Sequence, residues 1–77
     1  MSDSLISGPG EVRAIVNGTP HTLPVGTPIA DLITRFQLIP KTLLVERNGT
    51  ALHRSEWPTQ LVEEGDQIEF IRVVAGG

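Results

Sequence analysis

The chain has 77 residues, which allows one small domain, and its hydrophobic set of 39% with 8 glycines is that of a folded chain. It has no cysteine, which excludes disulfide staples, thiolate zinc sites and a cysteine nucleophile. A formal net charge of −3 argues against nucleic acid as a partner, and no run approaches the ~20 apolar residues of a membrane span. The acidic start Met1-Ser2-Asp3 is no secretory signal, so a cytoplasmic protein is expected.

Residues 1–10 show no period and end in Gly8-Pro9-Gly10, which reads as a flexible N-terminal tail. The domain is expected to run from residue 11 to 74. Val12, Ala14 and Val16 alternate with Arg13 and Ile15, the period of a strand. Asn17-Gly18 follows and suits a tight hairpin turn, because both residues take positive φ cheaply. Thr19–Leu23 is the returning strand, and Pro20 assigns it to an edge, since proline donates nothing to the ladder.

Thr27 then reads as a helix N-cap, with Pro28 as the first helical residue. Ile29, Leu32, Ile33 and Phe36 form one apolar stripe of a helix of about ten residues, with Asp31 placed to pair with Arg35. Pro40 ends it. Leu43–Arg47 is a third strand, Asn48-Gly49 a second hairpin turn, and Thr50–Leu52 a short return. Arg54–Pro58 is long enough for a single turn only. Trp57 anchors this connection onto the sheet edge. Glu63, Glu64 and Asp66 around Gly65 read as a solvated turn. Gln67–Val74 is the last strand, with Ile68 and Phe70 inward and Gln67, Glu69 and Ile71 on the other side.

The order β-β-α-β-β-β, with the first and last strands adjacent and parallel, predicts an α+β fold of the β-grasp, ubiquitin-like type. It has a mixed sheet of four to five strands and one main helix on one face.

Candidate chemistry within the domain is sparse. His21 and His53 are far apart in sequence and have no acidic or cysteine partner at ligand spacing, so no metal is expected. The serines lack a nucleophile-elbow context, and no glycine motif makes a phosphate cradle. A stand-alone enzyme is therefore not expected.

The informative segment is the end. Gly76-Gly77 has chance odds of roughly 1 in 200. It follows directly on an apolar strand, through Val73, Val74 and Ala75, with no polar spacer. Glycine has no Cβ, so such a backbone passes a narrow channel and approaches another backbone closely. Fully extended, Val74–Gly77 reaches ~14 Å beyond the globule. It presents an ionised α-carboxylate, a poor electrophile that needs activation by a partner, most simply to an acyl-adenylate. Residues 75–77 are expected to be a flexible tail.

Four segments resemble the ThiS family, the sulfur carriers of thiazole and thiamine biosynthesis. They are Val12-Arg13-Ala14-Ile15-Val16-Asn17-Gly18, Val45–Gly49 with Leu52–Trp57, Glu64–Glu69, and Val74-Ala75-Gly76-Gly77. His53 stands where many members have proline, and Ala75 where many have glycine. The resemblance implies a protein co-substrate with no bound cofactor. A ThiF-like adenylyltransferase would adenylate Gly77 with Mg-ATP. A cysteine-desulfurase persulfide would supply sulfur, leaving a terminal thiocarboxylate. A ThiG-like thiazole synthase would then accept the sulfur. Gly77 would bear the cargo, Gly76 and Ala75 would give access, and Ile15, Ile71, Val73 and Val74 would form the docking surface. Alternatives are a carrier for molybdopterin or another pathway, a ubiquitin-like modifier, and a plain interaction domain. A modifier that builds chains fits poorly with a single lysine, Lys41.

Overall fold

A computed structural model describes residues 8–73. Strand β1 (Glu11–Val16) turns at Asn17-Gly18 into antiparallel β2 (Thr19–Pro24). Helix α1 (Ile29–Arg35) follows, then a short 3-10 turn at Pro40–Thr42 and strand β3 (Leu43–Arg47). Asn48-Gly49 leads to β4 (Thr50–Leu52), a second 3-10 turn covers Arg54–Glu56, and β5 (Gln67–Arg72) closes the sheet. The strand order is β2-β1-β5-β3-β4, and β1 runs parallel to β5. This is the expected β-grasp plan. Pro20 lies on an edge strand, as its missing N–H requires.

Alternation decides which side chains face the helix. Ala14 and Val16, Leu23, Leu43 and Val45, and Ile68 and Phe70 are buried from the four longer strands. Ile29, Leu32 and Ile33 meet them from α1. Phe36, one position beyond the helix, packs its ring near His21 (5.2 Å between centroids) and edge-on to Phe70 (6.1 Å).

Both Asn-Gly turns adopt the expected geometry, with Asn17 and Asn48 at φ 49 and 51 and the following glycines at φ 84. They also do more. The Oδ1 of Asn17 accepts from the Phe70 N–H, and that of Asn48 accepts from the Gln67 N–H, each at 2.8 Å. The two turns thereby pin β5 from both sides.

Five expectations are corrected. Thr27 does not cap the helix. Its hydroxyl donates back to the Pro24 carbonyl at 2.6 Å, and Pro28 takes the cap position without a side-chain bond. The helix entrance is closed from outside: the N–H groups of Ile29 and Ala30 donate to the carbonyls of Gln60 and Trp57 at 2.9 and 3.0 Å. These are donors a helix start leaves unmatched. The helix also has 7 residues rather than about ten, and no ion pair joins Asp31 to Arg35.

The acidic turn is only partly solvated. Asp66 is 5% exposed. It takes Arg47 Nη2 at 2.9 Å, Asn48 Nδ2 at 3.0 Å and the Glu63 N–H at 2.8 Å. Trp57, finally, belongs to the core beneath the helix rather than to a sheet edge, with Arg54 over its ring at 5.6 Å.

Candidate functional site

The helix covers one sheet face. The other follows from the ladder, because directly paired residues share a face. Leu44 pairs with Ile71 and Glu46 with Glu69 across β3 and β5, and Ile15 pairs with Gln67 across β1 and β5. These positions alternate with the buried ones, so all lie on the uncovered face.

Ile71 is 38% exposed and Leu44 is 53% exposed. Val73, next outward position on the same strand direction, is 42% exposed. Its N–H donates to the Thr42 carbonyl at 2.7 Å, which extends the β5–β3 pairing one step past Arg72. That bond is the last one described along the β5–β3 ladder. Ile71 and Val73, two of the expected docking residues, thus sit together at this end of β5. Ile15 is half-buried and lies at the far end of β5, opposite Gln67, with Glu69 between it and Ile71 in register. It does not join them in one apolar patch. Val74, Ala75, Gly76 and Gly77 lie outside the described residues.

Leu44 is not legible from local hydropathy. The run Leu43-Leu44-Val45 hides it, since all three are apolar. Alternation carries the signal: if Leu43 and Val45 face the helix, Leu44 faces away. Ile39, 62% exposed, is also near this end, since its carbonyl accepts from Thr42.

No cavity opens among the described residues, and no group of three or more His, Cys, Asp or Glu among them is placed to hold a metal. His21 packs on Phe36, while His53 caps the turn at Arg54–Glu56. No helix among the described residues is long and apolar enough to cross a membrane. The exposed chemistry is an apolar pair beside a strand end. Such a surface suits protein docking.

Such a helix-backed five-stranded sheet with one open face defines a ubiquitin-like β-grasp domain. Residues 9–77 match the ThiS family, and the chain belongs to that family. The crystal structure of the thiamine biosynthesis protein ThiS from Geobacter metallireducens is similar over 86% of this chain and 100% of that one, with a TM-score of 0.72 and 28% identity. A solution structure of a thiamine biosynthesis protein from the same organism, also 28% identical, covers 86% of this chain and 88% of that one with a TM-score of 0.67. A thiazole synthase from Magnetococcus marinus is 32% identical over 62 residues, which is 80% of this chain. The chain spans 19% of the length of that relative.

Proposed function

We propose that this chain is the sulfur carrier for thiazole formation in thiamine biosynthesis, with Gly77 as the loaded residue. In this reading a carboxylate oxygen of Gly77 attacks the α-phosphorus of Mg-ATP in a ThiF-like adenylyltransferase, and pyrophosphate leaves. The terminal sulfur of a cysteine-desulfurase persulfide then attacks the acyl carbon, and AMP leaves. A thiol cleaves the resulting sulfur–sulfur bond and becomes a disulfide, and the carrier keeps a thiocarboxylate. A ThiG-like thiazole synthase takes the sulfur, and the carboxylate returns. ATP, magnesium and the activating groups belong to the partners, and the carrier acts as a co-substrate.

The observation that carries the reading is the exit of β5. The last described ladder bond, Val73 to Thr42, lies beside exposed Leu44 and Ile71, and the family's Val74-Ala75-Gly76-Gly77 end follows it. Glycines at 76 and 77 suit a narrow channel because they add no side chain. Membership of the ThiS family and the carrier-like segment within a thiazole synthase both support the thiazole pathway over another sulfur acceptor.

Reconstitution tests the choice of pathway. The loaded chain is offered either to thiazole synthase or to the large subunit of a molybdopterin synthase. Thiazole product in the first mixture alone is expected. Product in the second alone assigns the carrier to molybdopterin.

A further inference from the structure

Five of the six cations of this chain divide between the two ends of the sheet, and the sixth, Arg35, is in the last turn of α1. Arg47 lies at the end where β5 begins, with Glu63 at 3.6 Å and Asp66 at 2.9 Å. Arg13 is at the same end, where its backbone N–H donates to Glu64 at 2.8 Å and its carbonyl accepts from Gly65. Lys41, Arg54 and Arg72 gather at the opposite end, where β5 leaves. Three contacts place them there. Arg72 pairs with Leu43 in the ladder. The Val73 N–H donates to Thr42, the neighbour of Lys41. Arg54 Nη2 donates to the carbonyls of Pro40 at 3.0 Å and Lys41 at 3.5 Å.

All three cations are exposed, and none is in an ion pair among the described residues. Glu56, close in sequence to Arg54, is turned away to the His53 N–H at 2.8 Å. In a chain of net charge −3, this end of β5 is thus flanked by positive charge that no carboxylate among the described residues pairs with. The two sides of the exit also differ. Leu44 and Ile71 lie on the open face, whereas Arg72 shares the helix-side face of buried Leu43.

We propose that Lys41 and Arg72, with Arg54 holding the Pro40–Thr42 turn in place, form a cationic collar that docks on a carboxylate-lined rim of the enzyme that activates Gly77. This rests on the carrier reading above. The reach of the chain argues for a protein rim rather than the nucleotide. Val74–Gly77 spans up to ~14 Å, so the collar stays outside while the terminus travels to the reacting phosphate. The partner's groove then has one apolar wall, against Leu44, Ile71 and Val73, and one acidic wall. Opposite charges at a rim raise the association rate, fix orientation and weaken with salt.

The test measures adenylation of the full chain by a ThiF-like adenylyltransferase from the same organism, at low and high salt. Lys41→Glu with Arg72→Glu is expected to raise KM for the carrier about tenfold at low salt, leave kcat unchanged and flatten the salt dependence. Lys41→Arg with Arg72→Lys is expected to behave as the parent, which separates charge from folding. Equal KM and equal salt dependence for parent and charge-reversed chains overturn the collar while leaving the carrier reading intact. A salt-sensitive dimer of the parent chain that the reversal dissolves also overturns it, by making a second copy the occupant. A parent chain that is never adenylated removes both readings together.

Discussion

Leu44 and Ile71 stand directly opposite each other on β3 and β5, both exposed on the sheet face that the helix leaves open. On the carrier reading, this exposed apolar cross-strand pair beside the last described ladder bond is a fixed point from which a partner measures the distance to Gly77. Leu44→Glu is expected to change folding stability by no more than about 1 kcal/mol, the span of strand preferences. The same change is expected to weaken adenylation through KM. Thermal melting and carrier-dependent kinetics check the two halves. Unchanged kinetics in a folded Leu44→Glu chain would remove this face from the docking surface.

Asp66 gives the opposite pattern, large in stability. Its buried carboxylate joins half-buried Arg47, Asn48 and the Glu63 backbone in one partly buried cluster, with Gln60 Oε1 accepting from Arg47 at 3.0 Å. Removing one partner of a buried pair strands the other without solvent. Asp66→Ala is expected to cost about 3 kcal/mol in urea unfolding. A loss below about 1 kcal/mol would mean that Arg47 regains water at little cost.

Asn17 separates two roles of a turn residue. It sits at φ 49 and also accepts the Phe70 N–H. Asn17→Gly keeps the backbone but loses the acceptor, with an expected cost of about 1 kcal/mol. Asn17→Ala loses both and is expected to cost about 2 kcal/mol or more. Asn17→Asp retains the acceptor and is expected to stay close to the parent. Equal losses for Gly and Ala would show that the left-handed conformation costs alanine little here.

These contacts also mark how far the sequence could be read. The strands at Leu43–Arg47 and Thr50–Leu52 and both Asn-Gly turns are legible because each depends on local period and local φ, and the parallel centre follows from the order of the elements. The turn roles of Asn17 and Asn48 followed from the next residue, but their bonds to β5 did not. Those bonds span 53 and 19 residues. The helix start misled for the same reason: local rules favour Thr27 as a cap, while the real acceptors arrive from Trp57 and Gln60. Asp66 reads as turn chemistry because its partner Arg47 is on β3, 19 positions earlier in the chain. The exit residues Ile71 and Val73 were legible from alternation, and Leu44 was masked by its apolar neighbours.

Intact-mass measurement tests the central claim most directly. The chain is incubated with Mg-ATP, a ThiF-like adenylyltransferase, a persulfide donor and a thiol reductant, beside a chain lacking Gly76 and Gly77. Replacement of one oxygen by sulfur at Gly77 predicts a gain of ~16 Da in the full chain and none in the shortened one. An unchanged full-length mass, with an enzyme that loads another carrier in parallel, would contradict the account.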